Sequence, residues 1–404
     1  MLFEQCRCVV ADGCLLLLLL LAGRKAATDD ELEAVDCAVD ISVTAIANMG
    51  LLHHHAATAA RATIRLSTLP AAASAPSTMV LDAPAWRVAA ATHRERVLKL
   101  CNGALAADPL ELKQQRAAGL KRNNHPIYNF LFVYYSFDPN LLLRYSPGLG
   151  VTLTGVGVAE PQLYIGRGFE LHDASGGSGS MQARHCKRGL RKAARTACEI
   201  MRASAGRPPH LNCYGLHEWA MLYCPDDETA RPRKHQDLPL RLSQAEVNAV
   251  VEAHPIACTH FDAYRFFTPD ALPLNTVRPL PTRATQPQLE QPGCVHASMD
   301  LFRYAVKLWP YLSSELLADA LELALAARVL DMRASPYDVS AYHEGSGEDG
   351  ALDLTPVLIE TAEGRRQYQK EQVELTTRAQ PLRRRMIRAY EAAFREWDEE
   401  DAEA

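Results

Sequence analysis

The chain has 404 residues, of which 43 are Lys or Arg and 48 are Asp or Glu, so its net charge is −5 at pH 7. A slightly acidic chain is not held on nucleic acid by bulk electrostatics, although a local basic surface can still contact phosphates. Its 11 cysteines are an odd number without a repeated Cys-x-x-Cys motif, which argues against a disulfide framework and a cysteine-only zinc ribbon. The length suits one large domain or two smaller ones.

The N-terminal stretch, residues 1–81, is poor in aromatic residues and of low complexity. It contains a run of leucines, Leu15–Leu21, that is followed by Arg24 and Lys25. The apolar run is about half of the roughly 20 residues that a membrane-spanning helix needs, so we expect no membrane span. The run indicates either a targeting segment, which would direct the protein to an organelle, or an untargeted and poorly folded extension.

Helical patterns dominate the chain after this extension. A helix is predicted within Asp82–Leu120, where apolar residues alternate with Arg and Lys. The segment Ala174–Ser180 (ASGGSGS) predicts a flexible surface loop. The Pro-rich stretch Thr268–Gly293 excludes a continuous helix and favours an extended path.

Strand patterns are few and short, at Val151–Leu153, Leu238–Leu242 and Val357–Thr361. A C-terminal helix is predicted over about Tyr368–Trp397, followed by a solvated acidic tail, residues 398–404. We therefore predict a mainly α fold, in which a single large helical domain with small β additions covers residues 82–397.

One predicted helix, Ser313–Asp331, has charges where a buried helix should have none. A Ser pair can cap its start, and its leucines lie on every side of the axis, which is typical of a buried helix. Its interior charges are costly unless they are paired or bound to a metal ion. In one interpretation Arg328 pairs with one carboxylate and the other carboxylates face water. In the other, Asp319 and Glu322 project into a polar site from one helix face.

The preceding predicted helix, His296–Trp309, places an imidazole and a carboxylate on one face, because His296 and Asp300 are spaced i, i+4. Such a pair suits a metal ion or general acid/base chemistry. Asp331, at the end of the following helix, is a further candidate acid.

Two other segments pair a histidine with a carboxylate, namely His217-Glu218 and His260-x-Asp262. His260 and Asp262, together with His296, have the residue content of a 2-His-1-carboxylate triad, the arrangement that binds iron(II) and leaves positions open for oxygen and substrate. We predict a metal site formed by His217, His260, Asp262 and His296, with catalytic groups at Glu218, Asp300, Asp331 and Arg333.

Polar residues of the Pro-rich stretch, among them Asn275, Arg278 and Glu290, predict a substrate-binding lip beside His296. Arg333 could hold an anionic substrate by a bidentate contact.

A basic helix face carries Lys187, Arg191 and Arg195 at i, i+4 and i+8. It is typical of a solvated surface, and its alternative role is to contact phosphates through Arg191. The cysteines near the histidine motifs are interpreted as small buried hydrophobic residues.

Five stretches between His125 and about Phe394 carry a resemblance to a known family: HPIYNFLFVYYSF, GLHEWAMLY, HFDAYRFFTPDALPLNTVRP, EQPGCVHASMDLF and LDMRASPYDVS. They resemble bacterial proteins, frequent in actinobacteria, that are commonly labelled 3-methyladenine DNA glycosylase. The resemblance implies excision of alkylated bases from DNA, with the flipped base held between aromatic groups. Asp300 or Asp331 would then assist cleavage, and Arg191 would contact phosphate.

Three functions follow from these patterns. The leading hypothesis is an enzyme that uses a divalent metal ion, with iron as the first choice, and acts on a small or anionic substrate. The chain has no Walker A loop and no complete dinucleotide fingerprint, so no nucleotide cofactor is indicated. The second hypothesis is a metal-free DNA glycosylase. The third is a helical binding protein whose polar motifs are separate, individually satisfied networks.

Overall fold

A computed structural model of the chain describes residues 79–101, 125–135, 139–157, 168–173, 177–183, 186–225, 238–345 and 352–403. The described residues all belong to one compact unit, Ser74–Ala404. Almost all of the predicted extension, residues 1–81, lies outside the described residues, and so does the part of the predicted Asp82–Leu120 helix after Cys101.

The described part of the chain is mainly helical with one small four-stranded sheet, which confirms the predicted fold class. Its strands are β1 (Met79–Leu81), β2 (Val151–Leu153), β3 (Phe169–Asp173) and β4 (Ser178–Met181). Its helices are α1 (Ala83–Leu100), α2 (Tyr128–Tyr134), α3 (Arg188–Ala205), α4 (Leu216–Ala220), α5 (Gln244–Ala253), α6 (Phe261–Tyr264), α7 (Gln286–Leu289), α8 (Val295–Leu308), α9 (Ser314–Ala334) and α10 (Ala362–Glu403). Within these described ranges, no helix is both long and apolar enough to cross a membrane.

The sheet has the strand order β1-β2-β4-β3. Strands β1 and β2 are parallel, and the other neighbouring pairs are antiparallel. Strand β2 confirms the prediction for Val151–Leu153, but β4 contains the end of the segment that was predicted to be a flexible loop. That prediction was wrong for Ser178–Ser180, because Gly179 lies beneath the ring of Phe169 and a Cβ atom there would come within 2.6 Å of the ring.

Helix α9 forms the centre of the core and confirms the helix predicted over Ser313–Asp331. The Ser313 hydroxyl accepts a hydrogen bond from the backbone N–H of Leu316 at 3.3 Å and so caps the helix. Buried leucines lie on all sides of α9, which packs against α8, α10 and α1. Removal of this apolar surface from water is the main stabilisation of the helix.

The C-terminal helix α10 is longer than predicted at both ends. Residues 398–403 continue the helix beyond its predicted end, while Asp398 and Asp401 remain exposed, as predicted for a solvated acidic tail. Asp398 pairs with Arg195 at 2.6 Å, and Asp401 pairs with Arg191 at 3.1 Å. Carboxylates are unfavourable at a helix C-terminus, and the arginines of α3 offset this cost.

Two predicted strands were also wrong. Within Leu238–Leu242, Leu240 forms an isolated bridge with Tyr337, and Pro239 has no N–H with which to extend the pairing. Within Val357–Thr361 the N–H of Val357 donates to the carbonyl of Arg333 at 2.8 Å, but the next two bonds are local, since Ile359 and Thr361 donate to the carbonyls of Val357 and Leu358, each at 2.9 Å. This segment is the turn that leads into α10.

Two glycines in the loop before β2 provide a matched test of how closely that loop packs on α9. Gly148 and Gly150 have φ angles of 78° and 72°, but only at Gly148 would a Cβ atom come within 2.8 Å of the backbone nitrogen of Ser313. We expect Gly150→Ala to lower the free energy of unfolding by about 1 kcal/mol through backbone strain. Gly148→Ala should cost at least about 1 kcal/mol more, through the clash. Urea denaturation measures both, and equal losses would contradict the close packing.

Candidate metal centre

Six buried ionisable residues from different elements come together where α8 lies between α4 and the segment that contains α6 and α7. Helix α8 contributes two of them one turn apart, α4 and α9 contribute one each, and the caps of α6 and α7 contribute the others. They form two groups whose ligand atoms lie within 4.8 Å of one another in each group. The His260 group consists of His260, Glu290 and Asp300, and the His217 group consists of His217, His296 and Asp331.

In the His260 group, an imidazole faces two carboxylates without forming a hydrogen bond. The Nε2 atom of His260 lies 3.4 Å from Oδ2 of Asp300 and 3.7 Å from Oε2 of Glu290. Neither ring nitrogen of His260 has a hydrogen-bond partner among the described residues, although the side chain is only 1% exposed. Buried polar atoms are nearly always hydrogen-bonded, so these two nitrogens are exceptional.

Other side chains hold the two carboxylates of the His260 group in place. Asp300 accepts hydrogen bonds from the Tyr135 hydroxyl at 3.0 Å and from Arg303 at 3.1 Å. Glu290 accepts a hydrogen bond from Gln286, one turn earlier, at 2.9 Å. Outer contacts of this kind orient metal ligands in proteins.

Within the His260 group, the charge of one side chain shifts the pKa of its neighbours. Burial raises the pKa of Glu290 above its ordinary value, and the positive charge of His260 only partly opposes this. Burial also disfavours the charged form of Asp300, but His260 and Arg303 outweigh it and hold the pKa of this carboxyl well below its usual range. Burial lowers the pKa of His260, yet the nearby Asp300 raises it overall.

The His217 group, in contrast, contains a hydrogen-bonded network of His217, Asp331 and Arg328, although Nη2 of Arg328 has no hydrogen-bond partner among the described residues. Nε2 of His217 lies 2.7 Å from Oδ1 of Asp331, and Nδ1 of His217 lies 3.5 Å from the Cys213 sulfur. Arg328 donates to the other oxygen of Asp331 at 2.6 Å and to Glu218 at 3.1 Å. The expected Arg328 ion pair with a carboxylate of its own helix is therefore present.

His296 lies between the two groups. Its ring contacts the ring of His217 edge-on at a centroid distance of 4.5 Å and stacks on the ring of His260 at 5.2 Å. Its Nδ1 atom is buried without a hydrogen-bond partner. Burial, reinforced by the charge of His217, lowers the pKa of His296 well below its ordinary value, so this imidazole is neutral near pH 7.

The spacing of ligand atoms distinguishes the two groups chemically. Around a tetrahedral ion with bonds of about 2.1 Å, ligand atoms lie about 3.4 Å apart. The 3.4 and 3.7 Å distances in the His260 group match that spacing, while the 2.7 Å contact in the His217 group is an ordinary hydrogen bond. The His260 group is therefore the better candidate to hold a metal ion.

The predicted triad of His260, Asp262 and His296 is not assembled in the structure. Asp262 belongs to neither ligand group, because its carboxylate accepts hydrogen bonds from Arg265 at 3.0 Å and from Arg303. His260 precedes helix α6 as its N-cap, whereas Asp262 lies inside the helix. The two side chains therefore leave the backbone in different directions.

The predicted substrate-binding residues and Arg333 also have contacts outside both groups. Asn275 exchanges hydrogen bonds with the backbone of Cys258 at 2.9 and 3.0 Å, and Arg278 donates to the carbonyl of Val277 at 2.8 Å. Arg333 pairs with Glu371 at 2.7 Å, and Arg191 pairs with Asp401. These side chains connect neighbouring segments of the fold.

Asp319 and Glu322 project from one face of α9 into a shared polar pocket with Arg96, Arg378 and Arg385, as the second interpretation predicted, but this pocket lies at the surface and not in the core. Asp319 pairs with Arg96 at 2.8 Å, and Glu322 pairs with Arg96 at 2.7 Å and with Arg378 at 3.3 Å. Both carboxylates are partly exposed, so they form a surface network at the side of α9.

Sequence reasoning missed Glu290 as a candidate ligand, since it interpreted this residue as a polar contact of the substrate lip. The available signal was its position four residues after Gln286, a spacing that brings both side chains to one side of a single helical turn. Two of the nearby cysteines, Cys258 and Cys294, are buried as predicted, while Cys213 is partly exposed.

Comparisons with known proteins do not assign the chain to a family. A scan of the chain against protein-family models and searches of curated proteins and of solved structures found no match.

The His217 network makes a testable contribution to stability. Asp331→Asn removes the carboxylate that His217 and Arg328 share, and we expect a loss of about 3 kcal/mol in the free energy of unfolding, because buried His217 loses its carboxylate and Arg328 keeps only Glu218. Burial lowers the pKa of His217, but Asp331 outweighs it and raises this pKa well above its ordinary value. The His217–Asp331 pair therefore stabilises the fold fully below about pH 6.5, the pKa of histidine in the unfolded chain, and this stabilisation is lost as pH rises through the pKa of His217 in the folded protein.

The loss should therefore be larger at about pH 6 than at about pH 9 in urea denaturation of metal-free protein. Asp270→Asn, at an exposed position, is the control and should change little at either pH. A loss that does not vary with pH would contradict the charged His217–Asp331 pair.

Proposed function

We propose that the protein is a metal-dependent enzyme whose ion binds to His260, Glu290 and Asp300. The observation that carries the proposal is His260 itself, a buried imidazole with no hydrogen-bond partner at either nitrogen and two carboxylate oxygens 3.4 and 3.7 Å from Nε2. A divalent ion between these atoms would satisfy all three residues at once.

The electrostatics of the group support a cation. Two carboxylates buried beside each other repel, and burial already raises the pKa of Glu290. A divalent ion would take the place of the His260 proton and put a second positive charge beside the two buried carboxylates, which would compensate for their removal from water. Imidazole with carboxylate suits iron, manganese or zinc, and iron is the first choice because no thiolate belongs to the group.

Within the described part of the chain three residues offer ligand atoms here, so a bound ion would keep positions open for water or substrate. His296 stacks on His260 at 5.2 Å, and burial lowers its pKa, so a neutral imidazole that could act as a general base lies beside the group. This combination of an open ion and an adjacent base supports catalysis on a small molecule.

The two other hypotheses receive less support. A DNA glycosylase was expected to use Arg191 for phosphate contact, and this guanidinium pairs with Asp401 and lies over the ring of Trp397. A binding protein was expected to have separate and satisfied polar motifs, and the unpartnered nitrogens of His260 do not fit that description.

Elemental analysis of the purified full-length chain tests the ion and its location. We expect about one iron, manganese or zinc ion per chain, reduced at least about tenfold in His260→Ala and in Glu290→Gln, since each variant removes one of three ligands. Glu290→Gln keeps the shape of the side chain and removes only its charge.

His172→Ala is the control, because this histidine is exposed on strand β3 and should not affect the metal content. His217→Gln should also retain the ion, since His217 belongs to the hydrogen-bonded network. A folded wild-type chain that takes up none of the three metals after dialysis against each would contradict the proposal.

A further inference from the structure

A buried arginine on α10 has no carboxylate partner among the described residues. Arg383 is 1% exposed, and its guanidinium donates one side-chain hydrogen bond, at 3.2 Å, to Gln380 of the same helix. Its Nη2 atom has no hydrogen-bond partner. A buried guanidinium normally has a carboxylate or phosphate against it, because an uncompensated charge is strongly disfavoured away from water.

Arg383 lies beside the His260 group. Burial lowers the pKa of Arg383, and the negative charge of Glu290 is the largest effect that opposes it. On the same face of α10, about three turns earlier, Gln372 donates to the carbonyl of Gly293, which follows Glu290 closely in the chain. Two turns later, the Tyr390 hydroxyl donates to the carbonyl of Tyr304 on α8 at 2.7 Å.

A second unpartnered polar group lies in the same region. The hydroxyl of Tyr304 is buried without a hydrogen-bond partner, and the residue is 2% exposed. Tyr304 is one turn after Asp300 on α8, so both side chains lie on one face of that helix. The charge of Glu290 also contributes, after burial, to the raised pKa of Tyr304.

The charges of the region do not balance once the proposed ion is included. Arg303 donates hydrogen bonds to Asp262 and Asp300, and Asp262 also accepts one from Arg265. Arg383 donates to none of the described carboxylates. A divalent ion bound to Glu290 and Asp300 would therefore leave Arg383 without a negative charge to compensate it.

We propose that Arg383 and the Tyr304 hydroxyl bind the carboxylate or phosphate group of an anionic small molecule beside the His260 group. The inference rests on the proposed function and deepens it, because it assigns the substrate to the class of small anions. A guanidinium presents parallel N–H donors that match both kinds of oxyanion, and a phenol hydroxyl adds a third donor.

Isothermal titration of the full-length, metal-loaded protein with sodium phosphate and with sodium acetate tests this site and distinguishes the two anions. We expect saturable binding of one of them to the wild type, with a Kd at least about tenfold higher in Arg383→Met. Arg384→Met is the matched control, because the neighbouring Arg384 is exposed and its loss should leave the Kd unchanged.

Thermal unfolding of the same variants separates binding from folding. If Arg383 is an uncompensated charge in the ligand-free protein, Arg383→Met should unfold at the same temperature as the wild type or higher. An arginine with a purely structural role would instead lower the unfolding temperature when replaced. Binding that is absent from the wild type, or unchanged in Arg383→Met, would overturn the anion site.

The metal content of the same samples keeps the two proposals apart. A metal-loaded wild type that binds neither anion overturns the anion site and leaves the proposed ion in place. A metal-free wild type that binds an anion through Arg383 contradicts the proposed ion and supports the anion site.

Discussion

The ion pair between Arg328 and Asp331 allows helix α9 to be apolar on every side and still contain charges. Both side chains are fully buried, and Arg328 also reaches Glu218 and lies over the ring of Phe130 at 3.7 Å. Asp331 in turn holds His217. The Arg328 guanidinium therefore links α9 to α4 and α2. Together with Asp331 and His217, it forms the buried surface on which His296 and α8 pack.

Helix α8 contributes the polar side chains that face this buried surface. Successive turns of the helix present His296, Asp300 and Tyr304, so each turn contributes one polar group to the interior. The apolar faces of α9 and α10 keep this stripe out of bulk water, where a low dielectric strengthens each contact. Both the proposed ion and the proposed anion depend on this exclusion of water.

The sequence predicted what is local and failed where contacts are distant. The apolar pattern of Ser313–Asp331 and the i, i+4 spacing of His296 and Asp300 were enough to identify two helices and the most polar face. The grouping of ligands was not predictable, because His260 and Asp262 are close in sequence but face different partners. Glu290 reaches His260 from a separate segment, by a turn that the Pro-rich pattern does not specify.

The position of His296 between the two groups has a thermodynamic consequence. Its ring contacts His217 on one side and His260 on the other, so no bulk solvent separates the charges of the two groups there. A cation bound at His260 would make protonation of His217 less favourable. Linkage between two binding events is reciprocal, so protonation of His217 would lower the affinity for the cation by the same factor.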